Sequence, residues 1–161
     1  MGQAHNTFGF VVIAILYIGI GIMAAKGTIS TFRKILTPKA EQIFYAIALI
    51  VVAALYLAFA AYFRAAMAWR PETVAVLAFV ALGLLGVRLP VALILGYPLH
   101  GLWDLLHELQ LHGVYYSFAP GHLTAIPLAY GLFCAAFDFY MAAYIYGRRA
   151  EWTAAWKPEA H

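Results

Sequence analysis

Residues 43–63 run for 21 positions without a charged side chain, and residues 8–25 for another 18. Hydrocarbon offers the backbone no water to bond, so runs of this kind close their hydrogen bonds internally as helices. Each is near the ~20 residues that a helix needs to cross a bilayer core. Three further apolar segments follow, at residues 73–87, 90–109 and roughly 126–146. With 65% hydrophobic and 11% charged residues the chain lies far outside the composition of a soluble domain. The expected fold is therefore all-α, an integral membrane bundle of about five transmembrane helices. Residues 1–161 form a single domain, with 148–161 a tail. No Lys or Arg precedes the first run, which thus lacks the basic region of a signal peptide and is expected to stay as a helix.

The basic residues argue for an orientation. In a five-span chain Lys26, Arg33, Lys34, Lys39, Arg88, Arg148, Arg149 and Lys157 fall on one side and only Arg64 and Arg70 on the other. Positive charge is retained in the cytoplasm, so the N-terminus is expected outside and the C-terminal tail in the cytoplasm. The same placement accounts for the net charge of +3 without a nucleic-acid partner. Tyr115, Tyr116 and Phe118, in the outer connection, suit an interfacial aromatic belt, and Trp152 and Trp156 suit a tail lying on the membrane surface.

Against this background "YPLHGLWDLLHEL" (97–109) stands out, with His100, Asp104, His107 and Glu108 on one apolar helix. At ~100° per residue the first three fall within about 60° of one another, on one stripe, with Glu108 offset. Pro98, just before them, removes a backbone donor and is expected to kink the helix. The fifth segment supplies Cys134 and Asp138, four apart and again on one face. Asp104 and Asp138 are the only two aspartates. Measured from the outer ends at ~1.5 Å per residue, His100 and Asp138 lie roughly 16 and 18 Å deep, so antiparallel packing opposes them. Asp104 then opposes Cys134.

Carboxylates at that depth cost ~2.5 to 3.5 kcal/mol each unless partnered. Three readings follow. His100, Asp104, His107 and Asp138 offer nitrogen and oxygen ligands to a divalent metal, zinc most naturally, with iron, manganese or copper as options. The same groups also suit a proton relay, or polar contacts that merely hold two helices together. Cys134 reads as a small buried hydrophobe beside Asp104. His112, His122 and His5 are candidates to cap the site or are solvated loop histidines.

The pattern resembles a family of small, uncharacterised bacterial multi-pass membrane proteins, whose signature is H-x-x-W-D-x-x-H on one helix, a loop proline, then G-x-x-C-A-x-x-D on the last helix. His100, Trp103, Asp104 and His107 match the first part, Pro120 the loop, and Gly131, Cys134, Ala135 and Asp138 the last. Where the family often carries a second histidine, this chain has Glu108. The resemblance implies a bacterial inner-membrane location and a real site, without naming a reaction.

Two functions compete. One is an intramembrane metalloenzyme acting on a lipid-soluble substrate, with Glu108 or Asp138 moving the proton. The other is an accessory subunit of a larger membrane complex that binds a haem, a chlorophyll-type pigment or a quinone through His100 or His107. Eleven Tyr and eleven Phe suit a surface packed on other membrane subunits, on a second copy of the chain, or on lipid. Ion or proton transport ranks last, since the first two segments offer little beyond Tyr17, Tyr45 and Tyr56.

Overall fold

The computed structural model describes residues 2–111 and 122–157, with side chains from Phe8 onward. It is all-α, with five helices and no strand among the described residues: α1 (Gly2–Ile35), α2 (Pro38–Tyr62), α3 (Trp69–Gly86), α4 (Pro90–Leu111) and α5 (Tyr130–Ala155). Tyr115, Tyr116, Phe118, Pro120 and His112 lie outside the described residues, as does the side chain of His5.

The helices outrun the apolar runs that suggested them. Lys, Arg, Glu and Gln are good helix formers, so α1 continues through Lys26, Arg33 and Lys34 to Ile35. α2 begins at Pro38 in the first helical position, behind Thr37, whose hydroxyl accepts the Ala40 N–H at 3.3 Å. That earlier start draws Glu41 and Gln42 inside the fold, where both are buried. α4 runs unbroken through Pro98.

Phe8–Ile35, Pro38–Tyr62 and Trp69–Gly86 are long and apolar enough to cross a membrane. α4 and α5 fall outside that set, because the polar residues of the site dilute their hydropathy. α1, α3 and α4 leave large apolar side chains exposed, such as Ile15, Leu77, Leu84 and Leu95.

α4 and α5 form the most extensively packed pair. Gly131 lies against Asp104 and Glu108, and Gly101 against Ala135 and Asp138, which fixes an antiparallel register. A methyl group at Gly131 would stand 2.4 Å from the Asp104 carbonyl oxygen, so only glycine allows this approach. α2 and α3 make a second antiparallel pair that closes over α4, while α1 packs chiefly on α5. A core of Tyr45, Leu49, Phe79, Leu93, Tyr97, Met141, Ile145 and Trp152 fills the end of the bundle where α2 begins. Trp152 is fully buried rather than lying on a membrane surface, and its Nε1 donates to Glu41 at 3.1 Å.

Candidate metal centre

α4 presents His100 and Asp104 one turn apart on its buried stripe, and α5 brings Asp138 to face them. His100 Nδ1 lies 2.7 Å from Asp138 Oδ2 and 3.1 Å from Asp104 Oδ2. The opposition of His100 and Asp138 expected from their depths is thus present. α2 adds Tyr56, whose hydroxyl donates a short hydrogen bond to Asp104 Oδ1. His100, Asp104 and Asp138 are 2%, 0% and 2% exposed, so water does not screen them. One ligand atom from each lies within 4.8 Å of the others, a group that could hold a metal ion.

The proton count leaves the group short of donors. Nδ1 carries at most one hydrogen, and two carboxylates compete for it. Asp104 Oδ2 has only the 3.1 Å approach of that nitrogen and no hydrogen bond of proper geometry, and His100 Nε2 has no hydrogen-bond partner. A buried nitrogen and a buried carboxylate oxygen left open are costly in an apolar bundle. They are also the atoms that a cation uses.

The group borders a pocket of about 250 Å³ between α2 and α5, lined by Val52, Leu55, Tyr130, Phe133 and Phe137 together with Cys134, His100 and Asp138. Its wall is apolar and aromatic, while its floor holds the acid and the imidazole. Cys134 is half-buried in this wall.

His107 does not join the group. Its Nδ1 lies 2.8 Å from the Trp103 carbonyl and its Nε2 2.8 Å from Glu72 Oε1. Glu72, on α3, is fully buried and also accepts the Thr124 N–H at 2.9 Å and Trp103 Nε1 at 3.3 Å. Both imidazole nitrogens therefore face acceptors. The Tyr56 ring lies 4.2 Å from the His107 ring, so this tyrosine touches one cluster with its face and the other with its hydroxyl.

Glu108 also stands apart. α5 starts behind Ala129, which has φ 57° and offers no side-chain cap, and Glu108 Oε2 accepts the Gly131 N–H at 3.1 Å. A carboxylate at a helix N-terminus is favourable, which gives Glu108 a capping role at this junction. His122 is half-buried and lines a different pocket, with Arg70 and Trp103.

Glu72 and Tyr56 are the site residues that sequence reasoning passed over. A signal for Glu72 existed: Glu72, Val76, Phe79, Gly83 and Gly86 recur at helical spacing as the buried stripe of α3, but the apolar run begins only after Glu72.

No curated protein and no solved structure matches the chain. Residues 11–151 match a family of unknown function, DUF6010, and since that match covers most of the chain, the protein belongs to this family.

Proposed function

We propose that the protein is an integral membrane protein that holds a divalent cation at His100, Asp104 and Asp138 and acts as a metalloenzyme on a lipid-soluble substrate. The observation that carries the reading is the buried, donor-poor trio itself. Two ionised carboxylates and a neutral imidazole are neutralised by one divalent cation, whereas without it the group must bury surplus negative charge or take up protons. One nitrogen and two oxygens suit zinc, manganese or iron better than a soft metal. The carboxylate–imidazole contact would hold the ring in place, and Tyr56 would orient Asp104. A bound cation would supply Lewis acidity toward a polar group of the substrate. Asp138, on the pocket floor, is the residue placed to exchange a proton with that substrate, and the pocket's apolar wall suits a molecule arriving from the bilayer. His107 is left to Glu72 in this reading.

The membrane arrangement extends the three apolar helices to five, with α4 and α5 carried across by burying their polar stripes against each other. Two features support the N-outside, C-cytoplasmic orientation. Arg64 and Arg70 flank the α2–α3 turn, while Lys39 and Arg88 meet over the Trp156 ring and Arg148 binds Glu41 at the other end. A bacterial inner membrane would be the setting.

A second reading draws on the aromatic pocket. Tyr130, Phe133 and Phe137 beside an imidazole also suit a flat conjugated ring, as in a quinone, haem or pigment held by a subunit of a larger assembly.

The deciding measurement is elemental analysis with optical absorption on detergent-purified protein, expressed with zinc, manganese, iron and copper supplied in turn. About one divalent ion per chain is expected, absent from His100→Gln and Asp138→Asn that still show a cooperative melt. A metal-free wild type, or variants that keep the ion, would overturn the metal site. A stoichiometric chromophore, with no ion beyond any that the chromophore itself carries, would move the case to the subunit reading.

A further inference from the structure

A second pocket, larger than the one beside the metal centre, lies away from it. It measures about 370 Å³ and is lined by Arg70, Pro71, Val74 and Ala75 of α3, Trp103 of α4 and His122 of the returning chain. Its chemistry is graded along its length. At the end where α3 begins stands Arg70, exposed and with no ion pair or hydrogen bond among the described residues. One turn further in the lining is Val74, Ala75 and the Trp103 indole. Val74, at the edge of this lining, is 64% exposed.

A guanidinium is always charged and offers a fork of N–H donors matched to phosphate or carboxylate. An apolar trough that leaves this fork and runs along a helix fits a hydrocarbon chain. We propose that this pocket binds an anionic amphiphile, with its phosphate or carboxylate headgroup on Arg70 and its acyl chain on Val74, Ala75 and Trp103. The arrangement is distinct from chance lipid contact in one respect: Trp103 is fixed from behind by Glu72, and Glu72 holds His107 and the backbone of Thr124. The wall that the acyl chain touches is thus pinned to the Glu72–His107 cluster rather than free to yield.

The proposal needs the chain to sit in a membrane but is independent of any metal. Its test uses nanodiscs of zwitterionic lipid doped with lipids brominated in the acyl chain, which quench tryptophan on contact, with Trp103→Phe identifying the Trp103 signal. Saturable quenching is expected at a low mole fraction of anionic brominated lipid. In Arg70→Gln the half-saturating fraction should rise about fivefold, as ~1 kcal/mol per basic residue near anionic lipid implies. Brominated phosphatidylglycerol and brominated fatty acid, run as separate arms, tell a phosphate headgroup from a carboxylate. Equal quenching by zwitterionic and anionic lipid, or an Arg70→Gln protein that titrates like the wild type, would overturn the site. The melting temperature and metal content of Arg70→Gln check that neither fold nor metal centre has changed.

Discussion

Two of the buried carboxylate clusters in this bundle, at Glu41 and at His100, are solved differently. Near the start of α2, Glu41 is fully buried, yet each oxygen is used: Oε1 accepts the Tyr144 hydroxyl at 2.5 Å, and Oε2 accepts Arg148 Nη2 at 2.8 Å and Trp152 Nε1 at 3.1 Å. The guanidinium is shared, since Arg148 Nη1 also pairs with the half-exposed Glu151. At the His100 group two carboxylates meet one imidazole, and the nitrogen Nε2 is left without a partner. Burial of charge is common to both, so burial does not distinguish them. Nor does a single open nitrogen, since Arg148 Nε lacks a partner as His100 Nε2 does; the charge balance does, with a guanidinium beside Glu41 and only one imidazole between Asp104 and Asp138.

If Glu41 is a closed structural clamp, breaking it should cost the most. Glu41→Gln leaves the guanidinium of Arg148, 11% exposed, facing a neutral amide on its buried side, with only the half-exposed Glu151 as counter-charge. Removing one partner of a buried ion pair costs ~3 to 5 kcal/mol, and the partial exposure of Arg148 puts the expectation at the lower end. Thermal unfolding followed by a thiol-reactive dye suits this chain, because Cys134 is its only cysteine. The double variant Glu41→Gln, Arg148→Gln should recover much of the loss. A single variant that melts with the wild type would end the comparison, since Glu41 would then be no clamp.

Tyr56→Phe comes next. It removes the hydroxyl that donates to Asp104 but keeps the ring against His107. The lost hydrogen bond, with its acceptor left buried, should cost ~1 to 3 kcal/mol. If a cation sits in the group, loss of this orienting contact should also weaken metal affinity by roughly 10- to 100-fold. Competition with a chelator of known affinity measures that. Tyr56→Phe that destabilises the protein while leaving metal affinity unchanged would make the tyrosine structural and loosen its tie to the centre.

The two clusters also differ in how far they could be read from the sequence. His100, Asp104 and Asp138 were legible because helical periodicity put the first two on one stripe, and a short connection put the third opposite at matching depth. His107 shared that stripe, but the ~60° that separates it from Asp104 is enough to turn it toward α3. Its partner there, Glu72, precedes the apolar run, so a reading by hydropathy leaves it outside. Glu41, Arg148 and Trp152 were missed for the same reason. They lie beyond the ends of apolar runs, and the contact between Glu41 and Arg148 spans 107 residues of sequence, a pairing that no local pattern encodes. Helix number followed from apolarity. Helix ends did not, because good helix formers carry a helix past the point where hydropathy falls.

The smallest expected effect on stability is the most informative. Asp138→Asn replaces one of the two carboxylates crowded around His100 with a neutral side chain of the same shape, which can still accept a hydrogen bond from Nδ1 at the observed position. In metal-free protein this relieves the surplus negative charge, so stability should change by less than ~1 kcal/mol or rise, as substitutions at strained functional sites often do. The same change at Glu41 should destabilise, since there it leaves a largely buried guanidinium with only the half-exposed Glu151 as counter-charge. Metal-free wild type, Asp138→Asn and Glu41→Gln melted side by side therefore test the contrast directly, with opposite signs or at least unequal losses expected from one chemical substitution. Equal losses would mean that the His100 group is as fully compensated as the Glu41 group, and that its open nitrogen reports a polar contact between helices rather than a place for a cation.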